Sequence, residues 1–119
     1  MPTYNITPVA KPRQTQRDKW AQRPAVMRYR KFCDRIRYAR VQLYPCGLHV
    51  TFIIPMPDSW SKRKRQEMDG QPHQQRPDVD NFGKAILDAV YGEDSHVWDV
   101  RFTKLWGQQG QIIIERIEP

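Results

Sequence analysis

The chain has 119 residues, 39% of them hydrophobic and 28% charged, enough for one modest core but too few for a second catalytic domain. No apolar run approaches the ~18 residues that span a bilayer, and the first residues lack the apolar stretch of a signal peptide, so a soluble, cytoplasmic protein is expected. The net charge of +7 is unevenly spread: residues 1–65 hold 15 Lys and Arg against 3 Asp and Glu, and residues 66–119 hold 5 against 10.

The elements follow from hydrophobic period and punctuation. Tyr4-Asn5-Ile6-Thr7 is a short candidate strand, and residues 8–25, rich in Pro, Gln and Arg, read as a loop or arm. From about Val26 to Leu43, Tyr29, Phe32, Cys33, Ile36 and Leu43 recur at helical spacing while Arg28, Lys31, Arg35, Arg37 and Arg40 take other faces. Pro45 and Gly47 close that helix, and residues 48–54 form a half-buried or buried strand ended by Pro55 and Pro57. Asp58 or Ser59 can cap a short helix from Trp60 to Met68 that contains Lys62-Arg63-Lys64-Arg65. A loop over residues 71–77 precedes a second amphipathic helix with Phe82, Ile86, Ala89 and Val90, starting near Asp80 and stopping at Gly92. The period then changes to two: Trp98, Val100, Phe102 and Trp106 face one way, Asp99, Arg101 and Thr103 the other. Residues 107–110 supply a turn, so the last two strands read as a hairpin. The order β-α-β-α-α-β-β predicts a single α+β domain over residues 1–119, with a small mixed sheet packed with helices. Cys33 and Cys46 lack metal-ligand spacing and read as reduced structural thiols.

The basic excess points to a polyanion, because Lys and Arg that neutralise phosphates release counterions and gain affinity without reading sequence. A merely solvated basic surface is the plain alternative. A membrane surface fits less well, since the basic stretches lack the clean apolar face of an interfacial helix.

The acids of interest are Asp78 and Asp80 ahead of the second helix and Glu93-Asp94 beyond it. A helix of that length is ~20 Å long, so these groups meet only if the chain returns alongside. Converging carboxylates ~4 Å apart repel by roughly 4 kcal/mol at an effective dielectric near 20, which favours capture of a divalent cation. Hard oxygen donors suit Mg²⁺ or Mn²⁺ rather than zinc. Each residue also has an ordinary explanation. An aspartate at a helix start caps N–H groups and complements the dipole, Asp94 sits in a turn-forming Gly92-Glu93-Asp94-Ser95, and Lys84 lies one turn from both Asp80 and Asp88.

The string Arg76-Pro77-Asp78-Val79-Asp80-Asn81-Phe82-Gly83-Lys84-Ala85-Ile86-Leu87-Asp88-Ala89-Val90, followed by Glu93-Asp94-Ser95-His96-Val97, resembles the RusA-type crossover junction endodeoxyribonucleases. That family's pattern is Asp-x-Asp-Asn, a lysine four residues after the second Asp, Asp-Ala, then an acidic pair and Gln-Val. Residues 59–65 and 70–73 are similar to phage-borne members. Glu93 stands where the family usually has Asp, and His96 where Gln is common.

The resemblance implies that Asp78, Asp80 and Asp94 bind metal, that Lys84 is a catalytic or phosphate-stabilising cation, and that Asn81 and Glu93 support them. It implies Mg²⁺, with Mn²⁺ able to substitute and no small-molecule cofactor. It further implies a homodimer nicking a four-way DNA junction at two symmetric positions in recombination and repair. Lys62, Arg63, Lys64, Arg65, Arg76 and His73 are assigned to the DNA surface, with Trp60 the aromatic best placed to join them. Two other readings stay open: a non-catalytic nucleic-acid-binding module, and a metal-dependent nuclease of flaps or single strands. A helix-turn-helix repressor fits poorly, because the best basic helix lacks a short turn from a preceding helix.

Overall fold

The structure, a computed structural model, describes residues 2–12, 24–92 and 95–117. Its elements are β1 (Thr3–Tyr4), α1 (Pro24–Tyr38), β2 (Leu48–Pro55), α2 (Lys62–Met68), α3 (Val79–Tyr91), β3 (Val100–Gly107) and β4 (Gln111–Arg116). This is the α+β arrangement and element order expected from the sequence. Of the stretch read as an arm, residues 8–12 carry no helix or strand, residues 24 and 25 open α1, and residues 13–23 lie outside the described residues.

The four strands form one mixed sheet in the order β1-β4-β2-β3. β2 runs parallel to β3 and antiparallel to β4, and β1 pairs antiparallel with β4. The hairpin expected of β3 and β4 is therefore wrong, because β2 lies between them. The run Leu48-His49-Val50-Thr51-Phe52-Ile53 is apolar enough to be central, with Leu48, Val50 and Phe52 wholly buried. A central strand needs a hydrogen-bonding neighbour on each edge. Bridging two interstrand spacings takes roughly 9.6 Å, within the ~14 Å reach of the chain from Gly107 to Gln111. A turn signal reports a reversal of direction and cannot report what stands between the strands.

Residues paired across a sheet share a face, so Val50 lies in a row with Phe102 and Ile114, and Phe52 with Lys104 and Ile112. The two long helices bury matching stripes in the core to which that face belongs: Tyr29, Phe32, Cys33 and Ile36 on α1, and Phe82, Ala85, Ile86 and Ala89 on α3. Both stripes follow the i, i+3, i+4, i+7 spacing of one helix face. A polar link joins the helices beside this core. The Tyr29 hydroxyl donates to the Asp88 carboxylate, Lys11 Nζ lies 3.8 Å from Asp88 Oδ1, and Arg37 Nε donates to the Ala89 carbonyl at 3.1 Å. Burial, reinforced by Asp88, pushes the Tyr29 phenol well above its ordinary pKa, so it stays a donor. Cys33 is buried beside it, its thiol pushed up by burial, and both cysteines are unpaired.

α1 stops at Tyr38, five residues earlier than its apolar pattern suggests. Arg40 takes a left-handed φ of 54°, its N–H bonding Arg37 O at 3.1 Å and the Val41 N–H bonding Ile36 O at 3.3 Å. This is a Schellman closure with arginine where glycine is usual, its hydrophobic partners Ile36 and Val41 both buried. α2 begins later than expected, with Ser61 rather than Asp58 or Ser59 as its cap, accepting from Lys64 N at 3.1 Å. Trp60 thus precedes the helix. Its ring lies 4.8 Å from that of Trp106 and 4.2 Å from the Lys64 ammonium, and the His73 ring sits tilted against Trp106 at 4.2 Å. Trp98, expected in one strand row with Val100, Phe102 and Trp106, lies ahead of β3 and is 75% exposed.

α3 lies close against β3 at Gly83, where a Cβ would come within 2.3–2.6 Å of three Phe102 ring carbons. Gly83→Ala should therefore destabilise by a net ~1–2 kcal/mol, the overpacking outweighing the better helix propensity, as measured by urea unfolding. His73 yields a second expectation. It is 4% exposed, and its Nδ1 finds no partner among the described residues. Burial, followed by the nearby Lys104 charge, holds its pKa below the ordinary value of 6.5. The unfolded chain thus takes up this proton first, and stability is lost as pH falls below about 6.5 toward the folded value. Thermal unfolding between pH 7 and pH 5 should show that loss, and His73→Phe should reduce its slope.

Candidate active site

The motif residues gather at the start of α3. Asp78 is its N-cap, with φ −65° and ψ 150°, yet its side chain makes no capping hydrogen bond. The backbone alone closes this first turn, through Asn81 N to Asp78 O at 3.1 Å. The capping explanation therefore does not account for the Asp78 carboxylate, which is exposed. Asp80 stands in the first turn, where the helix dipole favours negative charge. One turn on, Lys84 Nζ lies 3.6 Å from Asp80 Oδ2, with both side chains more than half exposed. That pair contributes at most a few tenths of a kcal/mol, so both groups can turn toward other charges at little cost.

Asn81 is half-buried, and its carbonyl accepts from the Lys11 N–H at 3.0 Å, which ties the N-terminal segment to the same turn. Glu93 and Asp94 lie outside the described residues. Gly92, which precedes them, caps the other end of α3 with φ 78°, ~20 Å from Asp78 along a thirteen-residue helix. Among the described residues no three His, Cys, Asp or Glu side chains gather as a metal site. Asp78 and Asp80 nevertheless offer exposed, hard oxygen donors of the kind Mg²⁺ takes.

One contributor had no signal in the sequence. Lys104, on β3, sends its ammonium to the carbonyls of Gln75 at 2.5 Å and Pro77 at 2.8 Å. Those carbonyls flank Arg76 in the loop that delivers Asp78, and the Arg76–Pro77 peptide is cis. Read as a strand residue, Lys104 is only one more member of an alternating pattern.

The residues assigned to a DNA surface divide. Lys62, Arg63 and Lys64 are exposed on α2 and Arg65 is half-buried. Arg63 Nε lies 3.2 Å from Glu67, and Arg65 donates to the Pro57 carbonyl at 3.1 Å. Arg76 is exposed two residues before Asp78. His73 is not on this surface, since its ring is buried against Trp106. Trp60 has both Trp106 and Lys64 against its ring, which leaves it poorly placed to stack on a base. On α1, Arg28, Lys31 and Arg35 line a shallow groove with Thr7, Val9 and Phe32.

Comparison with known proteins places the chain in a family. Residues 5–117 match the family model described as endodeoxyribonuclease RusA. The chain is also 30% identical over 76 residues to the uncharacterized protein YqaN of Bacillus subtilis (strain 168), an alignment covering 57% of this chain and 54% of that protein. It thus spans about half the length of that relative. With a family match running nearly end to end and the motif held at the start of α3, the chain belongs to the RusA family of endodeoxyribonucleases.

Proposed function

We propose that the protein is a Mg²⁺-dependent endonuclease that resolves four-way DNA junctions by paired symmetric nicks. The observation that carries this reading is the exposed Asp78 carboxylate, unused as a cap, beside Asp80 and Lys84 in a chain of the RusA family. Asp78 and Asp80 would hold the metal together with Asp94, and Glu93 and Asn81 would support them. A bound Mg²⁺ would supply an acidified water and polarise the scissile phosphate. Lys84, paired with Asp80 in a contact weak enough to give way, would set its ammonium against the charge that grows on the phosphoryl oxygens.

Two nicks at symmetric positions call for two sites, and a two-fold homodimer is the economical way to carry them. The sheet face opposite the core supports this reading. It presents half-buried Ile53, Leu105 and Ile113 around Thr51 and Thr103, a surface a second copy would cover. Because Gly92 caps the end of α3 far from Asp78, the acid following it could come from the same chain or from the second copy. Mixed dimers of Asp80→Asn and Asp94→Asn would regain cutting only if the site is shared between copies. The cations of α2, with Arg76 and those of α1, would bind the junction through phosphates rather than base edges.

The test is cleavage of a labelled synthetic four-way junction beside a linear duplex and a flap. Paired nicks in the junction alone are expected with Mg²⁺ or Mn²⁺ and none with EDTA. Asp80→Asn should lose more than the roughly 10–100-fold that removal of an outer partner costs. Tight binding without cutting in either metal would instead favour a non-catalytic DNA-binding module, and equal cutting of flaps a broader nuclease. Changing Lys62, Arg63, Lys64 and Arg65 together to Ala should weaken junction binding and flatten its salt slope by roughly one for each phosphate no longer neutralised. An unchanged slope would remove α2 from the DNA surface.

A further inference from the structure

We propose that Lys104 is a positioning residue for the metal site, holding the Asp78 loop at its working distance from the sheet without touching DNA or metal; this rests on the metal-site reading above. The segment that delivers Asp78 is stitched along the outer edge of β3. Gly70 N donates to Trp106 O at 2.9 Å, Trp106 N to Gln71 O at 2.9 Å, and His73 N to Lys104 O at 3.1 Å. Pro72 and Leu105 form a bridge of antiparallel type in the same stretch. Backbone pairing stops there, five residues short of Asp78.

From that point the Lys104 side chain takes over. Its ammonium is held by the carbonyls of Gln75 and Pro77, so the residue whose backbone ends the pairing also holds two points farther along the loop. The attachment runs through the sheet itself, because Lys104 pairs across the strands with Phe52, a wholly buried residue of β2. An ammonium with two carbonyl partners makes charge-assisted bonds, roughly twice as strong as neutral ones. Without it, the bonds that hold residues 74–77 among the described residues are those at His73 and at the first turn of α3. A metal carboxylate must be held to within about half an ångström to bind its ion well. The loop's remaining freedom would fall on Asp78, which has no capping bond to restrain it.

The experiment compares wild type, Lys104→Met, Lys104→Arg and Asp80→Asn. Amide hydrogen exchange without metal reads the tether directly: exchange over residues 74–79 should accelerate in Lys104→Met and return toward wild type in Lys104→Arg. Mn²⁺ titration by electron paramagnetic resonance should show roughly 10–100-fold weaker binding in Lys104→Met. Junction affinity in EDTA should be unchanged, with kcat falling and KM steady. Should Lys104→Met fail to fold, judged by circular dichroism, Lys104→Gln gives the same readings. Wild-type exchange and Mn²⁺ affinity in the uncharged variant would overturn the proposal. So would a loss of junction affinity in EDTA with Mn²⁺ binding intact, which would make Lys104 a phosphate contact. Unaltered Mn²⁺ binding in Asp80→Asn would instead overturn the metal site, while the exchange result still judges the tether on its own.

Discussion

The burial of one stripe on α3 sets the terms for the rest of the molecule. Phe82, Ala85, Ile86 and Ala89 are buried with β2 and β4 in one core, and Gly83 lets the helix approach Phe102 on β3. With that face taken, Asp80 and Lys84, four residues apart, are left on the solvent side, where charge costs nothing to keep. The apolar spacing that folds the helix thus also displays its charged residues. Asp88, half-buried on α3, is used differently: it accepts from Tyr29 and faces Lys11, so it joins two helices and an N-terminal segment.

Much of this was legible in the sequence wherever a periodic signal reports on a single element. The stripes of α1 and α3, the stop of α3 at Gly92 and the strands near residues 48–55 and 100–107 all came from local pattern. Pairing was not legible, because the turn after Gly107 describes two strand ends and says nothing of β2 entering between them. Nor was the end of α1, since Arg40 adopts a conformation that composition assigns to glycine or asparagine. At the site, the motif carried Asp78, Asp80, Asn81 and Lys84 together to one helix start. Spacing could not reveal that His73 would turn inward under Trp106, or that Lys104 would reach back to carbonyls twenty-seven and twenty-nine residues earlier. Both depend on a contact made only after the sheet has formed.

The basic character of the first half of the chain also changes meaning once folded. α2 has no buried residue of its own, so its propensity and its cap cannot hold it in place alone. Its attachment lies in Trp60 against Trp106, in Lys64 over Trp60 and in Arg65 on the Pro57 carbonyl. The cations of the run are therefore not equivalent: Lys64 and Arg65 help fix the helix that Lys62 and Arg63 decorate.

The pairing of residues 70–73 with β3 also bears on the edge of the sheet. β3 is an outer strand of the sheet, and an outer strand presents unpaired N–H and C=O groups to any other extended chain. Over Lys104–Trp106 those groups are occupied by the protein's own loop, while toward Val100 the exposed Arg101 adds a charge. The opposite edge is blunted by a β1 of only two residues. The loop that carries Asp78 is thus also a cover against sheet extension, and sequence changes that free it from β3 would carry a solubility cost.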